Sequence, residues 1–137
     1  MVKNTFTKQE RLCSLSTIEW LFDGKGRSFS VFPLRYIYKV EPANEENSSV
    51  PLPQVLLSIS KKKFHQAVDR NRVKRLIREA YRQQKHSLVA YTNSKRLSLS
   101  LAIVFVGNTL PSQADIEESL SSALTRITKS LDHESAR

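Results

Sequence analysis

KKKFHQAVDRNRVKRLIREAYRQQK, residues Lys61 to Lys85, holds ten of the chain's 22 Lys and Arg against only Asp69 and Glu79. Its net charge of +8 is nearly all of the +9 carried by the 137 residues. One segment is therefore the charge centre, and the rest is a near-neutral scaffold. Within it, Val73, Leu76, Ile77, Ala80 and Gln84 recur at the i, i+3, i+4 spacing of an amphipathic helix, which predicts a helix from about Ala67 to Lys85. Arg70, Lys74, Arg78, Arg82 and Lys85 fall on the neighbouring arc, with Asn71 and Arg75 in or beside it and Arg72 further round. Like charges one turn apart repel by a few tenths of a kcal/mol per pair. The helix interior offers only Glu79 to offset this, so a polyanion is the economical neutraliser. A plain solvated face is the bland alternative, but the charge is concentrated on a clearly patterned helix. A localisation-type basic cluster fits poorly, because this one alternates with core positions.

Elements of the other period flank the helix. QVLLSIS, residues 54–60, reads as a strand running into the lysines, and LSLSLAIVFV, residues 97–106, as a strand covered on both faces. Residues 28–40, SFSVFPLRYIYKV, are also strand-like, with Pro33 marking an edge or bulge. Alternation sets Leu34, Tyr36 and Tyr38 on one side and Arg35, Ile37 and Lys39 on the other. A short helix is expected from about Thr17 to Asp23, stopped by Gly24, with capping-box patterns at Thr7–Glu10 and Ser16–Glu19. Glu41 to Pro53 is expected to be a mobile polar loop, and His86 to Arg96 a polar connection. Pro111-Ser112 opens a last helix with a Ser112/Asp115 cap and an apolar stripe of Ile116, Leu120, Ala123, Leu124, Ile127 and Leu131; the tail after Asp132 should fray. The order is α-β-β-α-β-α, with a further short strand near Arg27 to Ser30. It predicts a single α+β domain over residues 1–137, a sandwich of helices on a small mixed sheet of about four strands.

Composition narrows the chemistry. Cys13 is alone, no apolar run approaches the span of a bilayer, and the N-terminus lacks a secretory pattern, so a reducing cytoplasm is expected. His65, His86 and His133 have no metal-ligand spacing, the carboxylates form no recognisable pair, and three glycines make no phosphate loop. A binding protein for nucleic acid is the inference, without a catalytic site of its own.

The run Ala67-Val68-Asp69-Arg70-Asn71-Arg72-Val73-Lys74-Arg75-Leu76-Ile77-Arg78-Glu79 resembles the signature of the protein subunit of bacterial ribonuclease P. Leu57 to Lys62, a strand ending in paired lysines, and Phe6 to Leu12 resemble the same family, so the likeness covers nearly the whole chain. It implies an α/β sandwich like the second domain of a small-subunit ribosomal protein, with a left-handed βαβ crossover through the basic helix. It implies a partner: a catalytic RNA that removes the 5′ leader from precursor tRNA, using magnesium bound mainly by the RNA. By position, Arg70, Asn71, Arg72, Lys74, Arg75 and Arg78 are then expected at the catalytic RNA, where an arginine fork suits phosphate. A leader cleft is expected from Ile18 and Phe22, Tyr36 or Tyr38, and Lys61 and Lys62. Ile18 stands where relatives more often have Phe, and Lys63 to Gln66 lacks a glycine common there. The protein is expected to be monomeric apart from RNA, with no membrane partner. A ribosomal or RNA-chaperone protein fits the composition equally well and is separated only by the motif. A groove-reading DNA module fits less well, since the neighbours of the basic helix read as strands.

Overall fold

The computed structural model describes residues 11–12, 15–42, 52–60, 62 and 64–135. The elements are α1 (Leu15–Trp20) continuing into a π-helical turn (Leu21–Lys25), β1 (Arg27–Val31), β2 (Leu34–Pro42), β3 (Gln54–Ile59), α2 (Ala67–Gln84), α3 (His86–Lys95), β4 (Leu97–Phe105) and α4 (Gln113–Ser135). The sheet runs β1-β2-β4-β3, with β1/β2 and β2/β4 antiparallel and β3/β4 parallel. It is the mixed four-stranded α+β sandwich expected, with α2 and α3 forming the crossover between the parallel neighbours β3 and β4.

Register separates the two faces. Leu34, Tyr36 and Tyr38 of β2, Val55 and Ile59 of β3, and Leu99, Leu101, Ile103 and Phe105 of β4 are buried in one cluster. Val73, Ile77, Ala80 and Tyr81 of α2 join it, as does the α4 stripe from Ile116 to Leu131. On the other face a smaller cluster of Leu12, Leu21, Ile37 and Ala102 packs against Ile18, Trp20, Leu56 and Val104. Cross-strand pairing places Ile37 beside Ala102 and Ala102 beside Leu56 as the floor of that face, with Arg35, Val104 and Ser58 forming the adjacent row.

The structure corrects several sequence expectations. The segment 28–40 is a hairpin turning at Phe32–Pro33, whose peptide bond is cis, and its first arm β1 is the further short strand expected near Arg27 to Ser30. The polar connection is instead helix α3, which buries Leu88, Val89 and Thr92. It ends on Arg96 in the left-handed region (φ 53°), so no glycine marks its stop. Helix α1 begins at Leu15, which puts Ser16 inside it rather than at a cap. Of the expected mobile loop Glu41 to Pro53, Glu41 and Pro42 belong to β2, paired with Ser98 and Leu97, and Pro53 is buried; residues 43–51 lie outside the described residues, as does the Thr7–Glu10 pattern. Helix α4 runs on to Ser135 instead of fraying after Asp132. Its cap is as expected: the Asp115 N–H donates to Ser112 Oγ (3.1 Å) and the Ser112 N–H to Asp115 Oδ2 (3.4 Å).

Candidate nucleic-acid interface

Helix α2 turns Val73, Ile77, Ala80 and Tyr81 inward, which fixes the direction of its cations. Asn71, Arg72 and Arg75 are exposed, and Arg70, Lys74 and Arg78 are half-exposed. Two cations of the row are otherwise engaged. Lys85 is buried at 1% exposure, because Tyr81 and Lys85 continue the inward stripe. Arg82 pairs with Glu79 through Nε (3.1 Å to Oε2) and Nη2, and Gln83 donates to the same carboxylate. The Arg82 hydrogen bonds hold the Glu79 carboxyl below its ordinary range and raise Arg82. Gln84, on the predicted apolar arc, donates to the Glu117 carbonyl (3.0 Å) and ties α2 to α4.

Arg70 is placed differently from its neighbours. Its Nη1 donates to the backbone carbonyls of Phe64 (2.7 Å) and His65 (2.9 Å), at the entry to its own helix.

Two hollows open at the surface of the sheet. One of about 230 Å³ lies between β3 and α2, where Arg11, Lys74 and Arg78 stand around Leu12, Val55, Leu56 and Leu57. The second, about 240 Å³, lies beside the π-helical turn and is lined by Leu21, Phe22, Gly24, Gly26, Ser28, Arg35 and Ile37. Phe22 is 47% exposed there. Ile18 lies close by but packs partly into the small cluster on Ile37. The glycines permit this arrangement. Gly24 is left-handed (φ 81°), and at Gly26 a β-carbon would sit 2.9 Å from Ile37 Cγ2 and 3.2 Å from Leu21 Cδ2. Nearby, Lys39 Nζ lies 4.9 Å from the centre of the Trp20 ring and 2.8 Å from Glu41 Oε1.

Tyr36 and Tyr38 are not at this face. Both point to α4 and are buried, with Tyr36 Oη 2.9 Å from Ser119 Oγ and Tyr38 Oη donating to Ser130 Oγ (3.2 Å). Burial also pushes the Tyr36 hydroxyl well above its ordinary range. The mixed side of the strand, Arg35, Ile37 and Lys39, faces α1 instead. That side could have been chosen from sequence: an unbroken Leu-Tyr-Tyr side belongs to a core, and a side bearing two cations to a binding surface. Lys62 is exposed, its N–H bonded to Ser60 Oγ (3.1 Å), while Lys61 lies outside the described residues. Arg11, Arg35 and Lys39 join the candidate site from outside the expected set, Arg35 and Lys39 on the strand side opposite the tyrosines and Arg11 ahead of any periodic segment. Among the described residues no three His, Cys, Asp or Glu gather that could hold a metal, and no helix is long and apolar enough to cross a membrane.

Fold and surface together define a class: a small basic α+β sandwich that carries a helix-borne row of cations beside a partly apolar hollow. A sequence model of the family described as Ribonuclease P matches residues 6–128, and the chain belongs to that family, the protein component of an endoribonuclease. It is 37% identical over 121 residues to the "Ribonuclease P protein component" of Porphyromonas gingivalis, covering 88% of this chain and 85% of that one. The protein of the same name from Chlorobium phaeobacteroides is 35% identical over 109 residues, covering 76% and 73%. The fold is similar to the solved RNase P protein of Staphylococcus aureus (TM-score 0.62, 21% identity, 89% of this chain and 97% of that one). It is also similar to that of Thermotoga maritima (TM-score 0.61, 17% identity, 85% and 96%).

Proposed function

We propose that this chain assists a catalytic RNA in removing the 5′ leader of precursor tRNA, binding both the RNA subunit and the single-stranded leader. The observation that carries this is the exposed series Asn71, Arg72 and Arg75 on α2, continuous with Lys74 and Arg78 at the rim of an apolar-floored hollow. A guanidinium grips phosphate through two parallel hydrogen bonds, so the exposed arginines suit the backbone of a folded RNA. The hollow beside Phe22 and Arg35 suits a leader nucleotide, with the ring stacking on its base and the cation meeting its phosphate. Stacking tolerates any base, as a subunit serving many leaders requires. In this assignment Lys62 meets the leader backbone, and magnesium, which would activate the attacking water and neutralise phosphate charge, is held mainly by the RNA. The chain acts in the cytoplasm as a monomer apart from its RNA.

Reconstitution tests this. Purified protein added to the matching catalytic RNA should stimulate leader removal at low magnesium, while the protein alone should cut nothing. No stimulation, or cleavage by the chain free of RNA, would overturn it.

A further inference from the structure

Between β3 and α2, Lys62 and Phe64 are both tied to Ser60. The Lys62 N–H reaches Ser60 Oγ (3.1 Å) and the Phe64 N–H reaches the Ser60 carbonyl (3.4 Å). The Phe64 ring plugs into the core against Phe105, with centroids 5.6 Å apart. From the other side Arg70 reaches back over the first turn of α2, placing one guanidinium nitrogen between the Phe64 and His65 carbonyls. Gln66, at the helix N-cap, contributes no side-chain cap bond. Arg70 is thus the side chain that closes this helix entry, and it does so with a charge-assisted bond to each of two carbonyls.

We infer that Arg70 is a positioning residue: it clamps the β3–α2 turn so that Lys62 stands at a fixed place relative to the cations of α2, and it is not itself a principal phosphate ligand. Resting on the function proposed above, this replaces the expectation that every cation of the Arg70-Asn71-Arg72 run touches the catalytic RNA. The geometry distinguishes Arg70 from Arg72. Arg72 is exposed on α2, whereas Arg70 has spent its Nη1 on its own chain.

A double-mutant cycle separates clamp from ligand. Affinity of the full chain for precursor tRNA in the reconstituted holoenzyme is measured across a salt series for wild type, Arg70→Ala, Lys62→Ala and the double variant. Independent sites multiply their losses, whereas sites acting through one another do not. Lys62→Ala and Arg70→Ala should each weaken binding several-fold, and the double variant should stay within about two-fold of Lys62→Ala with the same salt slope. Losses that multiply, including the case where Lys62→Ala alone has no effect, would overturn the clamp. Should Arg70→Ala fold poorly, Arg70→Met keeps the aliphatic stem and helix propensity and takes its place in the cycle. In the free protein, amide exchange at Lys62 and Phe64 should quicken on Arg70→Ala or Arg70→Met while the amides of Ile77 and Ala80 stay protected; unchanged exchange at the turn would equally refute the clamp. A wild-type holoenzyme that fails to cleave at all would count against the proposed function instead.

Discussion

Gly26→Ala puts the packing of the π-helical turn on the sheet to a direct test. The new methyl carbon would lie 2.9 Å from Ile37 Cγ2, 3.2 Å from Leu21 Cδ2 and 3.4 Å from the Tyr38 carbonyl oxygen. Ile37 is β-branched and buried in the small cluster, which leaves its Cγ2 little room to turn aside, so the turn must lift. Overpacking of this kind costs about 1–3 kcal/mol. The lost freedom of the unfolded chain returns about 0.4–1 kcal/mol. The net is a destabilisation of about 1–2 kcal/mol, or a Tm lower by about 3–10 °C for a domain of this size. Urea and thermal unfolding followed by far-UV circular dichroism measure it. Because Leu21 and Phe22 ride on the same turn, leader-dependent affinity should fall as well. Gly24→Ala is the control: it meets no atom within 4 Å, so it strains a left-handed backbone without displacing the turn. A Gly26→Ala protein as stable as wild type, with unchanged precursor affinity, would refute this packing.

Phe22→Ala should weaken precursor tRNA binding by about 1–3 kcal/mol and leave mature tRNA largely unaffected, because only the precursor carries a leader to stack; equal losses in paired binding titrations would remove the leader from this hollow. Tyr36→Phe should leave precursor binding unchanged and lower stability by about 0.5–1.5 kcal/mol, since Tyr36 Oη bonds Ser119 beneath α4. The same tyrosine sets a pH dependence. Its folded pKa is raised, so its contribution to stability is complete below the ordinary tyrosine value of about 10 and is lost as pH climbs above it; Tyr36→Phe should flatten that alkaline fall in urea midpoints. Arg72→Ala and Arg75→Ala should each reduce the slope of log affinity against log salt by about 0.7–0.9 in holoenzyme assembly, while Arg82→Ala, whose cation already pairs with Glu79, should change it less.

Much of the architecture was legible because the physics that makes these elements is local. The stripe Val73, Ile77, Ala80 can seal only one way, and the Ser112/Asp115 cap announces α4 just ahead of its first buried side chain, Ile116. What escaped was set by tertiary contact. Residues 86–95 show almost no amphipathic pattern, and their helix is held by burying Leu88, Val89 and Thr92 and by an arginine in place of a glycine at its end. The short first arm near Arg27 to Ser30 and the break at Pro33 were legible, but their pairing as a hairpin was not, since both arms have the same composition. At the surface, the outward cations of α2 followed from helical spacing, but the direction of Arg70 did not, because nothing in spacing tells a guanidinium to turn back on the carbonyls of Phe64 and His65. Tyr36 and Tyr38 were assigned to the wrong face. Alternation separates the two sides of a strand, and packing against Ser119 and Ser130 of α4 shows that the Leu-Tyr-Tyr side is the inner one, as its composition implies.

The measurement closest to the central claim is photocrosslinking in the assembled holoenzyme, with a crosslinker carried at position 75 on the cationic face of α2 or at position 122 on the exposed side of α4. Position 75 should yield abundant crosslinks to the catalytic RNA and position 122 few or none. Crosslinks from position 122 with none from position 75 would contradict the assignment of α2 as the face that meets RNA.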